Sequence, residues 1–577
     1  VVAPSLVWLK RDLRLEDHAP LAAAIARGPV VGLYVFEPSL LAAPDTDACH
    51  VDFVRRALED LAPRWRAKGG VLRVEVGEVV DVLDRWHHAI GFGALFSHEE
   101  TGNLLTFARD RAVRAWARAR GVEWVERPQH GVLRPHPRRD RWAERWQRRM
   151  STSPLDAPER IPAPDAATLA RLDASAPNSP ILAAGDARPD RVAFAPALAA
   201  LGLEPNPRVG REPATRAAAE ATLDSFLTGR GQRYRFEMSS PVTAHQSSSR
   251  MSSVLAYGTL SLRETYHRLE RRRVEVGAAL ARARPGARGQ GALVGWSKSL
   301  ESFGARLRWH CHFMQKLEDA PRSEVENLHT GYDGLRTEEP AAWGPEERRR
   351  FDALVSGRTG FPMIDAVTRC LEATGWINFR MRAMWTSFAA YHLWLHWRPV
   401  GLWLARRFVD YEPGIHWSQL QMQAGTTGIN TLRIYSPAKQ VVDHDPQGEF
   451  IRSWVPELAQ LPDAYLPCPE KVPPGLGAEL GFAPGRSYPA PVVDGDAAVR
   501  SAKRALAAVR ARAPVRAEAA EVAERHGSRR RPVAVARRPG GAPRGPEAAT
   551  HTGRADGRAA AEAPAVPTSQ LRWLFDD

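Results

Sequence analysis

Two hydrophobic periods divide this chain, and one layer of structure cannot hold both. From Ser5 to about Pro128 short apolar runs, "SLVWLK", "VVGLYVFEP", "LRVEVG", "ALFSHEE" and "VEWVERP", alternate with amphipathic stretches such as "DHAPLAAAIA" and "HVDFVRRALEDLAPRWRAKG". Strand and helix alternating at short spacing predict an α/β N-terminal domain with a doubly wound parallel sheet, Rossmann-like in layout. From Ala214 to about Leu458 the pattern is helical, with no convincing strand, which predicts a large all-α domain. The boundaries expected are 1–134 for the α/β domain, 135–213 for an interdomain linker, 214–475 for the all-α domain and 476–577 for a C-terminal extension. The linker is rich in Pro, Ala and Arg. The extension is basic and low in complexity, hence expected to be largely disordered, although "SAKRALAAVRAR" can form one helix.

Several classes drop out on composition and spacing. No GxGxxG follows the first strand, so the usual dinucleotide fingerprint is missing. The four cysteines form no CxxC pair, which disfavours zinc-ribbon and iron–sulfur readings; their spread fits a reducing compartment, and a cytoplasmic protein is expected. No apolar run approaches the roughly 18 residues needed to cross a bilayer. A net charge of +14 points to an anionic partner, nucleic acid ahead of membrane, although much of the excess lies in the tail.

The stretch "TGFPMIDAVTRCLEATGWINFRMRAMW" carries the sharpest local question. Arg380 and Arg382 lie two residues apart, roughly 200° around a helix, so they point to opposite faces. One needs a buried partner and the other faces a cleft. Upstream, "SSSRMSSVLAYG" puts hydroxyls, helix N-terminal amides and a guanidinium at one point, the ingredients of a phosphate cradle, though such residues also serve as caps and loops. "HCH" at 310–312 lacks the spaced partners of a metal site, and no metal is expected. Eighteen tryptophans exceed what a core requires.

These blocks, "WLKRDLRLEDHAPL", "TGFPMIDAVTRCLEATGW", "RMR", "RIYSP" and "DPQGEFIRSWVPEL", resemble in order and spacing those of the cryptochrome/DNA photolyase family over roughly residues 5–130 and 220–460. The resemblance implies an antenna domain followed by a helical domain that holds FAD. It implies FAD contacts at Tyr234, Ser248, Ser249, Arg250, Met251 and Ser252, and a buried pair of Arg382 with Asp410 beside the flavin. It places Trp309, Arg380 and Met384 toward the substrate and makes Trp397 and Trp417 members of an electron-transfer chain, with Trp394 or Trp343 as the distal member. An antenna chromophore (folate, deazaflavin or another flavin) could sit near His98, Glu99 and Glu100.

Departures from the family pattern fall on the substrate side. Phe379 stands where cyclobutane-dimer photolyases carry Asn, Arg306 stands where they carry an acid, and Ala383 follows "RMR" in place of Met. The loop after Asp410 is short, and Glu412, Pro413 and Gly414 are nearest to the position facing the flavin N5. The expected activity is blue-light-driven splitting of cyclobutane pyrimidine dimers, by a deoxyribodipyrimidine photo-lyase acting as a monomer on damaged DNA, single- or double-stranded. The alternative is a cryptochrome-type photoreceptor, with a tail partner that the sequence does not name.

Overall fold

The computed structural model of the protein describes residues 3–134, 141–175, 203, 206, 208–284, 286, 288–429 and 432–527. Five strands, β1 (Ser5–Leu9), β2 (Val30–Phe36), β3 (Val71–Val76), β4 (Ala94–His98) and β5 (Glu123–Arg127), form one parallel sheet in the order β3-β2-β1-β4-β5. Every residue of β1 is buried, because helices cover both faces. Val7 and Leu9 pack on one side with Phe53, Leu61 and Trp65, while Leu6 and Trp8 pack on the other with Val82 and Trp86. Strand order reverses across β1 and β4, which opens a crevice at their carboxyl ends.

The rest is helical. Helices Pro362–Thr374, Phe379–Ser387, Trp397–Arg407 and Pro413–Ala424 enclose the largest core, and the long Gln290–Asp319 helix lies across them. Gly414 lets that helix come close: a Cβ there would lie 2.7 Å from Met314 Cα. The α/β and helical parts are stitched together. Arg11 donates to the Tyr411 carbonyl at 2.6 Å, the Tyr411 hydroxyl donates to Asp45 at 2.7 Å, and the Leu104 amide donates to Glu324 at 2.6 Å.

Two sequence expectations need correction. Part of the expected linker is built structure: helix Trp142–Ser151 buries Trp142, Trp146 and Met150 against the helical domain, and helix Ala166–Ser175 packs on helix Val79–Ile90. The i, i+4, i+8 spacing of those three side chains is a helical stripe hidden in a composition dominated by Arg. Residues 135–140 and most of 176–207 lie outside the described residues.

The C-terminal extension is likewise ordered as far as residue 527. Helix Gly495–Arg510 is capped by Asp494, which accepts from the Ala497 amide, and it buries Ala502, Leu506 and Val509 in the main core. Helix Ala513–His526 follows it. His329 Nδ1 accepts from the Gly331 amide, so its Nε2 carries the proton and donates to the Val515 carbonyl at 2.8 Å. Glu518 accepts from both the amide and the hydroxyl of Thr330. The expected disordered tail from 528 to 577 lies outside the described residues. Leu506→Ala should therefore lower the stability of the whole helical domain by about 2–5 kcal/mol, measured by urea unfolding, rather than leave it unchanged as a loose tail would.

Candidate functional site

A cavity of about 290 Å³ opens in the helical domain. Three walls build it: Phe303, Arg306, Leu307, Trp309, His310 and Phe313 from helix Gln290–Asp319; Trp376, Ile377, Phe379, Arg382, Ala383 and Thr386 around the start of helix Phe379–Ser387; and Glu412, Ile415, His416, Gln419, Leu420 and Gln423 from helix Pro413–Ala424. Ser249, Met251 and Ser252 close one end.

The two arginines part as helix geometry requires. Arg382 turns inward, with Nη2 2.8 Å from Asp410 Oδ2, Nε donating to the Ile377 carbonyl at 2.9 Å, and the guanidinium 3.9 Å from the centre of the Phe408 ring. Burial pushes the Asp410 carboxyl up, but the charge and hydrogen bond of Arg382, helped by Ser252, outweigh it, and the pKa falls below the ordinary carboxylate value. Arg380 points away from the cavity and reaches Ser239 Oγ at 3.2 Å. It lies beside Arg433 and Tyr435, whose phenol feels both guanidiniums.

At the serine end, Arg250 has the left-handed φ of 61° that turns the chain into helix Ser252–Tyr257. Its guanidinium stacks 3.9 Å above the Trp376 ring and pairs with Glu212, which also accepts from Ser253 Oγ at 3.0 Å. Arg230 donates to the carbonyls of Ser248 and Ser249, fixing the loop from behind. Tyr234 sits behind Phe303, packed edge-on against it and Phe226, and Ser248 is off the cavity lining.

Several buried polar atoms have no protein partner: Asp410 Oδ1 and both Nε2 and Oε1 of Gln419 on the lining, and Nη1 of Arg250, which is off it between the lining residues Ser249 and Met251. Unmatched buried donors and acceptors are costly, and each marks where a ligand atom can complete the set. The set comprises a cation with serine hydroxyls and helix amides at one end, and an amide and a carboxylate along an apolar slot. It fits a dinucleotide with an extended, polar-edged ring such as FAD.

Of the aromatic candidates, Trp417 lies directly behind the wall. It is 4.8 Å from the cavity residue His416 and 6.0 Å, edge-on, from Trp397. Both indoles are buried, and Trp397 Nε1 donates to Asn327 Oδ1 at 2.8 Å. The distal candidates are not brought together with them. Trp343 packs on Phe351 and Trp394 sits under Arg336, so among the described residues neither makes a ring contact with Trp397. Trp309 is on the cavity wall, 5.3 Å from Phe313. Met384 is fully buried and off the lining, and Ala383, one residue earlier and about 100° around the helix, lies on it instead.

Glu412 forms the partition toward a second cavity. Its carboxylate is 3.8 Å from Arg11, which lines the crevice at the carboxyl ends of β1 and β4 along with Trp8, Tyr34, Glu37, Glu100 and Arg109. Burial pushes Glu412 up to about 7, with Arg11 pulling it down and Glu100 pushing it up, while burial holds its neighbour His416 down to about 4. A carboxyl raised on folding stabilises the fold at low pH and loses that contribution as pH rises from its unfolded value through about 7. Glu412→Gln should therefore flatten the fall in unfolding midpoint between pH 5 and 8, measured without cofactor.

The β1–β4 crevice has a satisfied rim. Arg109 pairs with Glu37 at 3.2 Å, with Asp110 and with Glu100, and Arg109 and Lys10 both lie over the Trp8 ring. Glu100 lines it, whereas Glu99 does not, and His98 turns inward to donate to Asp12 at 2.7 Å. Asp12, His18 and His98 have the proximity of a metal site. However, His18 Nδ1 accepts the Leu21 amide, which leaves the proton on the Nε2 that faces Asp12 at 3.0 Å. Releasing that nitrogen for a metal would cost the helix cap, so the cluster reads as a hydrogen-bonded pin beneath the crevice.

Glu212, Trp376 and Gln419 were not legible as site residues. Glu212 lies in the apparent linker, and its only sequence signal is an acid just before a helical pattern; Trp376 and Gln419 read as ordinary members of apolar helices.

Comparison with known proteins gives the same layout. The family described as DNA photolyase matches residues 5–141, and the FAD binding domain of DNA photolyase matches residues 303–508. The chain is 30% identical over 472 residues to a deoxyribodipyrimidine photo-lyase of Thermus thermophilus, covering 79% of this chain and 93% of that one. It is 28% identical over 521 residues to a cryptochrome DASH of Gloeobacter violaceus, covering 85% and 93%. The fold matches a cryptochrome of Synechocystis sp. PCC6803 with a TM-score of 0.71 at 22% identity, covering 87% and 99% of the two chains. It matches a class III photolyase of Agrobacterium tumefaciens with a TM-score of 0.67 at 24% identity, covering 88% and 98%. The chain belongs to the cryptochrome/DNA photolyase family.

Proposed function

We propose that the protein repairs DNA with blue light, splitting cyclobutane pyrimidine dimers as a deoxyribodipyrimidine photo-lyase. The observation that carries this reading is the cavity itself: the Arg382–Asp410 pair, serines Ser249 and Ser252 at one end, and the aromatic and cationic side chains Trp309, Phe379 and Arg306 on its walls. Bound FAD in its reduced form would supply the light absorption and the electron that opens the cyclobutane ring.

The chain's own residues do the rest. Arg250, Ser249 and Ser252 would hold the diphosphate, and Arg382 would favour negative charge on the ring, with Asp410 keeping that arginine from being an unpaired buried cation. Trp417 and Trp397 form a short buried path by which the cofactor is kept reduced. Trp309 and Phe379 present ring faces to an extrahelical base; photolyases are themselves among the general examples of base flipping. Arg380 and Arg433 stand outside the opening, where strand phosphates pass. Among the described residues no helix is long and apolar enough to cross a membrane, and four free thiols fit a cytoplasmic setting.

The β1–β4 crevice is the place for an antenna chromophore (folate, deazaflavin or a second flavin). A solved photolyase of Sulfolobus tokodaii, similar in fold to this chain, holds two FAD molecules.

A second reading, a cryptochrome-type photoreceptor, is favoured by one contact. Trp397 bonds Asn327, two residues from His329, the residue that grips the C-terminal helix. A charge change at Trp397 would then loosen that helix.

Dark binding separates the two. The repair reading predicts that the purified FAD-loaded chain binds a duplex carrying one thymine dimer much more tightly than the same undamaged duplex, both weakening with salt. Equal affinity for the two duplexes counts for the photoreceptor.

A further inference from the structure

Resting on the Trp417–Trp397 electron path, we propose that Asn327 and Asp333 form a proton relay that discharges Trp397. When the photoexcited flavin draws an electron through Trp417, the indole proton of Trp397 leaves along Asn327 to the surface carboxylate of Asp333.

The two tryptophans differ at the indole nitrogen. Both rings are buried, yet Trp417 Nε1 has no partner in the protein, while Trp397 Nε1 donates to Asn327 Oδ1 at 2.8 Å. Asn327 is half-buried, and its Nδ2 donates to Asp333 Oδ1 at 2.7 Å, where the carboxylate is exposed. Its neighbours fix the orientation of this amide. An indole nitrogen only donates and a carboxylate only accepts, so the amide oxygen faces Trp397 and the nitrogen faces Asp333. Two hydrogen bonds in series thus join a core indole to water.

Oxidation of Trp397 places a positive charge in a buried site, and an unpaired buried charge is costly. Among the described residues neither Trp343 nor Trp394 is in ring contact with Trp397, so the charge has no third indole to move to. Its way back leads through Trp417, whose ring lies 5.7 Å from the Arg398 guanidinium, a second positive charge. His396, 5.3 Å from Trp397, is no acceptor: its Nδ1 takes the Arg398 amide proton, and burial, with Arg336 and Arg398, holds its pKa down to about 4. One-electron oxidation makes an indole N–H strongly acidic. Losing that proton therefore removes the charge where it stands, and Trp397 has a path for it where Trp417 has none.

The step balances on these atoms. One electron passes from Trp397 through Trp417 to the flavin. The Trp397 Nε1–H bond breaks and its proton goes to Asn327 Oδ1, while a proton on Asn327 Nδ2 goes to Asp333 Oδ1. A neutral indole radical remains, with Asn327 in its imidic acid form and Asp333 as a carboxylic acid open to water. An external thiolate then gives the radical one electron and becomes a thiyl radical. The proton returns from Asp333 through the same two bonds and restores the amide.

Transient absorption after a light flash on the purified FAD-loaded chain tests the relay, because the cation and neutral radicals of tryptophan have different spectra. In the native chain the cation should convert to the neutral radical. Asp333→Asn should slow that conversion by about a hundredfold, the lower end of what a positioned proton acceptor contributes, so that charge recombination wins. Adding Asn327→Asp to Asp333→Asn puts a carboxylate on the indole itself and should restore the neutral radical, a rescue that a purely structural role would not give. Conversion at the native rate in Asp333→Asn, or a double variant that stays in the cation form, overturns the inference and leaves the electron path intact. A tryptophan radical that survives in Trp397→Phe unchanged, or none at all in the native chain, removes the path and the relay with it.

Discussion

Asp410→Ala should yield a folded chain that no longer retains FAD through purification. The change removes the one carboxylate among the described residues that pairs with Arg382, a guanidinium held on one side by the Ile377 carbonyl and on the other by the Phe408 ring. Removing one partner of a largely buried pair leaves an uncompensated charge, a loss of about 3 kcal/mol in stability. It also deletes Oδ1, one of the unmatched atoms reserved for the ligand. Asp410→Asn should keep the shape and part of the hydrogen bonding, and so retain cofactor at reduced occupancy. Because the Asp410 pKa is depressed, its contribution is present above the ordinary carboxylate pKa and is lost as pH falls through the folded value. FAD absorbance per chain and unfolding midpoints between pH 3 and 7 read both effects. Full cofactor occupancy in the alanine variant would remove this pair from the site.

Trp417→Phe should abolish most light-driven reduction of the bound cofactor while leaving repair by chemically pre-reduced protein nearly unchanged. Trp417 connects the cavity residue His416 to Trp397, and both indoles are buried in ring contact with each other. Trp397→Phe should have the same effect, whereas Trp343→Phe, whose ring packs on Phe351 away from Trp397 and Trp417, should have little. Cofactor absorbance under blue light in the presence of an external thiol reductant distinguishes them. A second stacked pair, Trp385 with Trp403 at 5.2 Å, lies on another face of the same core. Persistence of photoreduction in the Trp417 and Trp397 variants, with loss in Trp385→Phe, would move the path there.

The sequence was most informative where a function forces a local pattern. The parallel sheet follows from alternating runs, and the need of one arginine for a buried partner was legible from an apolar helix, whereas Asp410 as that partner came from the family resemblance. The serine and arginine cluster at 247–253 was legible because a cradle requires small polar residues ahead of a helix, and the resemblance picked out Ser249, Met251 and Ser252 within it. Contacts across long separations were not: Glu212 meets Arg250 from 38 residues upstream, inside what reads as linker. The first of the helices at 495–510 and 513–526 was legible in "SAKRALAAVRAR", but its docking and the second helix were hidden by an Ala- and Arg-rich composition with thin apolar stripes, Ala502, Leu506 and Val509 in one and Val515 and Val522 in the other. Met384 and Ala383 show the limit of carrying over a position: one residue along a helix exchanges a core side chain for a lining one.

The most direct test of the central claim is repair itself. An oligonucleotide carrying one thymine cyclobutane dimer is incubated with the purified, FAD-reduced chain under blue light and in darkness, and restored thymines are measured chromatographically. The account predicts restoration in light and none in darkness, with Arg306 and Phe379 both in place. No restoration in light, from protein whose cofactor still photoreduces through Trp417, would contradict it and leave the photoreceptor reading in its stead.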